Sequence, residues 1–226
     1  TGHKSVVLGA PLAGTLLVTA TCADKPGETA VFAVNSQADG VTLISYPTID
    51  GRAAADVHLD GAVAELLGPD PGKSDQAVAK VLRQATLAAI GEAVGAMEAA
   101  VTLTKEHLNT RVQFGKPLAA LQVLQHRLVD MFIAAEEARA LGRWAAETLD
   151  QGRDEESDYA LSLAKAYIGD AGRMVGEQAI QLHGAIAITD EFHIGHYLKR
   201  LTAIDKLFGD TDHHLMRLVK TAGREE

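Results

Sequence analysis

The segment Arg111-Val112-Gln113-Phe114-Gly115-Lys116-Pro117 gathers side chains suited to a phosphorylated ligand. A guanidinium offers a planar fork of donors that matches phosphate oxygens. Gln113 can donate to phosphate or sugar oxygens, and Phe114 offers a stacking face. Gly115 and Pro117 shape a tight turn, with Pro117 expected in the first turn of a following helix, where N–H groups favour anions. On spacing alone a second reading stays open, that of a plain helix–helix turn with a solvated arginine.

Gln181-Leu182-His183-Gly184-Ala185-Ile186-Ala187-Ile188-Thr189 is the other candidate. Its small residues permit close approach of a ligand or of another backbone. It reads equally as a helix C-cap with Gly184 left-handed. Glu191, His193, His196, His213 and His214 raise the question of a metal. His193 and His196 share a helical face, but no further ligand spacing follows, so no metal is expected and surface or interface histidines are the reading. Cys22 stands alone in an apolar, strand-like run, and without a partner it reads as structural. A single cysteine allows no internal disulfide and fits the cytoplasm.

These segments must be carried by two kinds of structure. Residues 5–8, 15–20, 29–34, 41–46 and 55–59 are short, β-branched and separated by Gly, Pro, Asp and Asn, which predicts five strands. Five strands without a second layer leave a face uncovered, so this region reads as a truncated β domain or one completed by another chain. Gly68-Pro69-Asp70-Pro71-Gly72 breaks the chain, giving an expected division into 1–70 and 71–226.

Beyond the break the pattern turns helical. Ser74 is placed to cap a helix to about Asn109, with Val78, Val81, Leu82, Ala85, Ala89, Val94, Met97 and Val101 as its apolar stripe. A second helix is predicted over 117–149, its stripe including Leu121, Leu124, Leu128, Met131, Phe132, Ala135 and Leu141. A third covers 156–182, a fourth 190–206 and a fifth 210–221. The fold class is therefore α+β, mainly α: an incomplete β-sheet domain followed by a four-helix bundle. Aromatics are only 4% of the chain, so the core must rest on Leu, Val, Ile and Ala.

The formal net charge is −9, and no Lys/Arg block forms the basic face that nucleic-acid binding requires. No run reaches the roughly 20 apolar residues of a membrane span, and Thr1-Gly2-His3-Lys4 has no signal-peptide pattern.

The order Arg-x-Gln-Phe-Gly-x-Pro at 111–117, then Gln122, then Gln-x-His-Gly at 181–184, resembles the acyl-CoA dehydrogenase family over about residues 74–212. Gly2-His3-Lys4 and Leu59-Asp60-Gly61-Ala62-Val63 extend the likeness faintly into the strands. The resemblance implies an oxidoreductase of lipid metabolism, a flavoprotein that takes the α-proton and β-hydride from an acyl-CoA thioester. It implies FAD as cofactor, an N-terminal helical domain, a middle β domain and a C-terminal four-helix bundle, and assembly into dimers or tetramers. By this match Arg111, Gln113 and Phe114 contact the FAD pyrophosphate side across a subunit interface, with Leu121 and Gln122 close by, and Gln181, His183 and Gly184 border the adenosine.

Three departures accompany the likeness. Ala185 replaces a second glycine after His183. The N-terminal helical domain and the flavin-facing strands are absent from the sequence. The family's catalytic glutamate is missing from both of its usual places, which hold Ala85 and either Phe208 or Gly209. Asp210 is the nearest carboxylate to the latter and the one candidate base, although its position equally suits the N-cap of the last helix. The missing base, together with Thr189–Phe192 and His196–Arg200, resembles the heteromeric, actinobacterial-type branch. The resemblance implies either a working dehydrogenase chain that helps bind FAD and acyl-CoA, or a non-catalytic partner that completes the site of another subunit.

Overall fold

A computed structural model describes residues 1–22, 25–68 and 74–222. The chain forms two compact units, Thr1–Val81 and Leu82–Glu226, and each is described by itself. The Pro-Gly break at 69–72, with the expected division at 70/71, lies outside the described residues.

Among the described residues the first unit holds six strands: β1 (Gly2–Leu8), β2 (Thr15–Cys22), β3 (Lys25–Asn35), β4 (Val41–Pro47), β5 (Ala53–Leu59) and β6 (Glu65–Leu67). All pairings are antiparallel, in two three-stranded sheets of order β1-β5-β4 and β2-β3-β6. The five expected strands are present. The expectation that a second layer is missing is corrected: alternate residues Leu16 and Val18 of β2, Val34 of β3, and Ala55, Val57 and Leu59 of β5 form one core shared by the two sheets. The sixth strand was not foreseen because three residues are too few to show a period. Leu17 (70% exposed) and Ile44 remain on outward faces. Cys22 is a free, half-buried thiol at the end of β2.

The second unit is built on α1 (Ser74–Thr110), α2 (Gln122–Asp150), α3 (Asp154–His183), α4 (Ile194–Lys206) and α5 (Thr211–Ala222). The core stripe of α1 is Ile90, Ala93, Met97 and Ala100, at spacings of three and four, continued by the buried Thr104 and Leu108. Val81 and Leu82, expected in that stripe, are exposed, as is Phe132 of α2. An 18-residue stretch of α1 is apolar enough, by length and composition, to cross a membrane, which corrects the reading that no such run exists. Its apolar side supplies the bundle core.

The centre of the unit is α3, with Ala160, Leu161, Ala164, Ile168, Ala171, Val175, Ala179 and Leu182 all buried. Small residues let neighbouring backbones come close. A Cβ at Gly176 would lie 2.7 Å from Leu198 Cδ1 of α4, and one at Gly172 would lie 3.3 Å from Leu201 Cδ2. Arg83 of α1 holds α3 through Asp158, with Nε to Oδ1 and Nη2 to Oδ2 both at 2.9 Å, and through Asp154 at 2.8 Å. Arg200 of α4 forms a similar fork on Glu92 of α1.

Candidate functional site at one end of the bundle

The expected helix start at Pro117 is not observed. Instead Val112–Gln113 (β7) and Lys116–Pro117 (β8) form a small hairpin, closed by the Leu118 N–H donating to the Arg111 carbonyl at 2.9 Å. Its two central residues, Phe114 (φ 54°) and Gly115 (φ 76°), are both left-handed, the conformation of a type I′ turn. That geometry matches the twist of paired strands, and glycine permits it at the second position. A 3-10 turn at Leu118–Ala120 follows, and α2 begins at Gln122.

The hairpin stands clear of the bundle. Arg111, Gln113, Phe114 (88% exposed) and Gln122 are exposed and Leu121 is half-buried. Among the described residues the Arg111 guanidinium has no ion-pair or hydrogen-bond partner. A long cation held at the mouth of a rigid turn is free to meet an anion.

The second segment lies at the end of α3. Gly184 terminates the helix with φ 70° and ψ −147°, a conformation open to glycine but different from the expected left-handed helical cap. A 3-10 turn at Gly184–Ile188 follows, which delays α4 to Ile194. Gln181, Gly184 and Ala185 are exposed, while His183 is buried.

One contact brings the two segments together. His107 lies one helical turn before Arg111, and its ring packs against His183 in a tilted arrangement with centroids 4.4 Å apart. The Phe192 ring also packs against His183, with centroids 5.1 Å apart. The Nδ1 of His183 donates to the Ala179 carbonyl at 2.8 Å, so in the neutral ring Nε2 carries a lone pair. That Nε2 is buried and has no hydrogen-bond partner among the described residues. Burial lowers the pKa of His183. Burial, then the neighbouring His183, then the Arg111 cation lower that of His107. Both shifts favour the neutral ring.

The third candidate region lies elsewhere on the bundle, between α4 and α5. Asp210 caps α5, its Oδ1 accepting the His213 N–H at 3.0 Å, and Oδ2 lies 3.5 Å from Lys206 Nζ. The His213 N–H holds this carboxyl below the usual carboxylate range, with Lys206 adding to the effect. Phe208 is left-handed (φ 57°), as is Gly209 (φ 101°). Ala85 is half-buried on α1.

Sequence reasoning did not anticipate two buried groups beside this turn. The Lys165 side chain is fully buried, and its ammonium donates to the carbonyls of Asp205 and Gly209, both at 2.9 Å. A signal existed, because position 165 falls on the same face as Leu161, Ala164 and Ile168. His214, expected at a surface or interface, is 1% exposed, and its Nε2 lies 3.2 Å from the Phe208 carbonyl. The rings of His193 and His196 are 6.5 Å apart, and His196 Nε2 bonds the Asp190 carbonyl. Among the described residues no three His, Cys, Asp or Glu side chains converge as a metal site.

Comparison with known proteins fits this architecture. Residues 75–223 match the family described as "Acyl-CoA dehydrogenase, C-terminal domain". The acyl-CoA dehydrogenase IpdE2 of Mycolicibacterium smegmatis is 30% identical over 188 residues, covering 80% of this chain and 56% of that protein. The acryloyl-CoA reductase (NADH) of Anaerotignum propionicum is 28% identical over 199 residues, or 84% of this chain and 50% of the relative. The chain thus spans about half the length of the curated relatives it matches. A solved steroid acyl-CoA dehydrogenase, the Tcur3481-Tcur3483 G363A variant, superposes with a TM-score of 0.87 at 28% identity, covering all of this chain and 59% of that one. The ChsE4-ChsE5 complex of Mycobacterium tuberculosis shares the fold, with a TM-score of 0.88 at 23% identity over 99% of this chain and 59% of its own. With the family's C-terminal domain matched over residues 75–223, this chain belongs to the acyl-CoA dehydrogenase family.

Proposed function

We propose that this chain is part of an FAD-dependent acyl-CoA dehydrogenase and contributes Arg111, Gln113, Phe114, Leu121, Gln122, Gln181, His183 and Gly184 to an FAD site at a subunit interface. The observation that carries this reading is the close packing of the His107 ring against His183. It gathers an exposed, unpartnered guanidinium and the open end of α3 at one end of the bundle. The residues present suit the cofactor. Arg111 can neutralise a phosphate, and the Phe114 ring is free to pack on a ligand. A Cβ built at Gly184 meets nothing within 4 Å, so there is space beside it.

When bound, FAD supplies the acceptor for the β-hydride of an acyl-CoA thioester. Arg111 and Gln113 hold and orient the pyrophosphate side, and their reach beyond the bundle serves a site completed by a neighbouring subunit. Residues 1–70 correspond to part of the middle β domain and 71–226 to the C-terminal bundle. We place the assembly in the cytoplasm.

The α-proton needs a positioned base. Ala85, Phe208 and Gly209 have no proton acceptor. Asp210 is the remaining candidate, but its carboxylate is engaged as the cap of α5 and its depressed pKa makes it a weak base. These observations favour a second form of the same reading, in which the chain is a non-catalytic partner completing the FAD site of a subunit that bears the base.

The test is Arg111→Ala in the purified assembly. A charge-assisted contact to phosphate contributes roughly 1.5–3 kcal/mol, so flavin affinity should fall by about tenfold or more and the flavin content with it, while the far-ultraviolet spectrum is unchanged. Equal flavin content in wild type and variant would sink the assignment.

A further inference from the structure

The last turn of α1 carries Arg111 away from the bundle. Lys105, Glu106, Asn109 and Thr110 of this turn are exposed, as is Arg111 itself. Leu108 is buried in the core and fixes where the helix lies. His107 meets the other segment of the site, since its half-buried ring packs against His183 with centroids 4.4 Å apart. His183 is a firm anchor. It is 6% exposed, its Nδ1 donates to the Ala179 carbonyl at 2.8 Å, and the Phe192 ring also packs against it.

From His107 a path of backbone hydrogen bonds leads outward. Its carbonyl accepts the Arg111 N–H at 2.9 Å, and the Arg111 carbonyl accepts the Leu118 N–H that closes the hairpin, also at 2.9 Å. The end of α3, the His107 ring, the Arg111 backbone and the hairpin are thus joined in series. Helix ends fray where no tertiary contact holds them, and a guanidinium on a frayed turn has no fixed direction. The packing of His107 removes that freedom on the side of α1 that faces the end of α3.

The kind of side chain at 107 matters as well as its contact. Residues four apart lie on one helical face, where an acidic residue pairs with an arginine one turn later. Position 107 holds an imidazole instead. Burial, then His183, then Arg111 lower its pKa, and no carboxylate among the described residues figures in the shift of either ring. A neutral ring in that place steadies the turn without neutralising the guanidinium.

We propose that His107 is a positioning residue for the flavin phosphate site: packed on the anchored His183, it sets the direction of Arg111 and leaves that charge unpaired. This inference rests on the FAD reading above and adds to that site a residue which acts only through Arg111.

The experiment titrates FAD into the assembly, purified with any subunit that co-purifies and freed of flavin, and reads affinity from flavin fluorescence. His107→Ala should weaken FAD by roughly threefold to tenfold, no more than Arg111→Ala does. His107→Phe keeps a neutral ring and should bind within about twofold of wild type. His107→Glu supplies the ion-pair partner one turn before Arg111 and should weaken FAD by about tenfold or more. In the Arg111→Ala background His107→Ala should have no further effect, because coupled residues do not add. Asn109→Ala is the control. It removes a bond to the Lys105 carbonyl (2.9 Å) in the same turn but no contact with His183, and should stay within about twofold. Wild-type affinity in His107→Ala or His107→Glu, a loss in His107→Phe, or additive losses in the double variant would each overturn the inference alone. Equal weakening in Asn109→Ala would do the same, by making fraying of the turn sufficient. If His107→Ala loses helix content, His107→Gln carries the same comparison. FAD affinity equal in wild type and Arg111→Ala, or no FAD binding by the wild type, would overturn the FAD reading and this inference together.

Discussion

His214 shows how a single side chain links packing to pH. It is sealed between α5 and the Phe208 carbonyl, and burial, reinforced by the Lys165 cation, pushes its pKa down from the ordinary imidazole range to about 4. A group whose pKa is depressed on folding binds more protons in the unfolded chain. Its contribution to stability is therefore complete above the unfolded value near 6.5 and is lost as pH falls toward 4, by on the order of 3 kcal/mol. His107 and His183 shift in the same direction for the same first reason, burial, and add to the loss. Thermal melts between pH 7.5 and 4 should show a steep acid decline, and His214→Gln should flatten it. A decline of equal slope in that variant would mean the linkage lies elsewhere.

At the scale of elements, the contact between α3 and α4 is set by glycines rather than by large side chains. Gly176 meets Leu198 so closely that a Cβ would lie 2.7 Å from Cδ1, 3.2 Å from Cβ and 3.3 Å from Cα, and the last two cannot move without shifting α4. Gly176→Ala should destabilise the bundle by about 1–3 kcal/mol through overpacking. Gly95 of α1 is the control, because a Cβ there meets nothing within 4 Å and its backbone is helical. Gly95→Ala should stabilise the isolated chain by roughly 0.5–1 kcal/mol through helix propensity. Urea melts of the two variants should move in opposite directions, and a neutral Gly176→Ala would show that α4 shifts freely. The Arg83 fork on Asp158 and the Arg200 fork on Glu92 tie α1 to α3 and to α4, so these helices are held by geometry as well as by burial.

The whole molecule leaves apolar surface on several elements. Val123, Val129, Phe132 and Ile133 of α2, and Leu215, Met216 and Val219 of α5, are all about half exposed or more. Apolar groups at helical spacing on two separate helices exceed the scattered exposure usual for a monomer. Light scattering at micromolar concentration should give at least a dimer, and a monodisperse monomer with a cooperative melt would refute this. The same preparation tests the division of labour. Supplied with FAD, acyl-CoA thioesters and an artificial electron acceptor, the chain alone should turn over negligibly. Loss of general-base catalysis costs about 10²–10⁴-fold in rate. Turnover that disappears in Asp210→Asn would instead identify that carboxylate as the base.

Much of this architecture was legible in the sequence because local chemistry dictates it. Five strands follow from β-branched runs between turn residues, and five helices from apolar repeats near 3.6 bounded by Gly, Pro and capping residues. The residue order at 111–117 and 181–184 sufficed to indicate the family, since it needs only identity and spacing. Where two alternatives were locally equal, the sequence could not choose. Pro117 suits a helix start as well as a hairpin strand, and the pairing of Val112 with Pro117 decided for the hairpin. The stripe of α1 was placed too early because Val81 and Leu82 fit helical spacing, whereas burial depends on what lies opposite. The second sheet emerges only when β3, paired with its neighbour β2, also takes β6 on its other edge, a contact between residues far apart in the chain. Likewise the packing of His107 against His183 joins two helices, and the bonds from Lys165 and His214 tie helices to the turn that carries Phe208 and Gly209. Periodicity determines which face of an element is apolar, but the partner that meets that face, and the polar group trapped beneath it, are decided by tertiary packing.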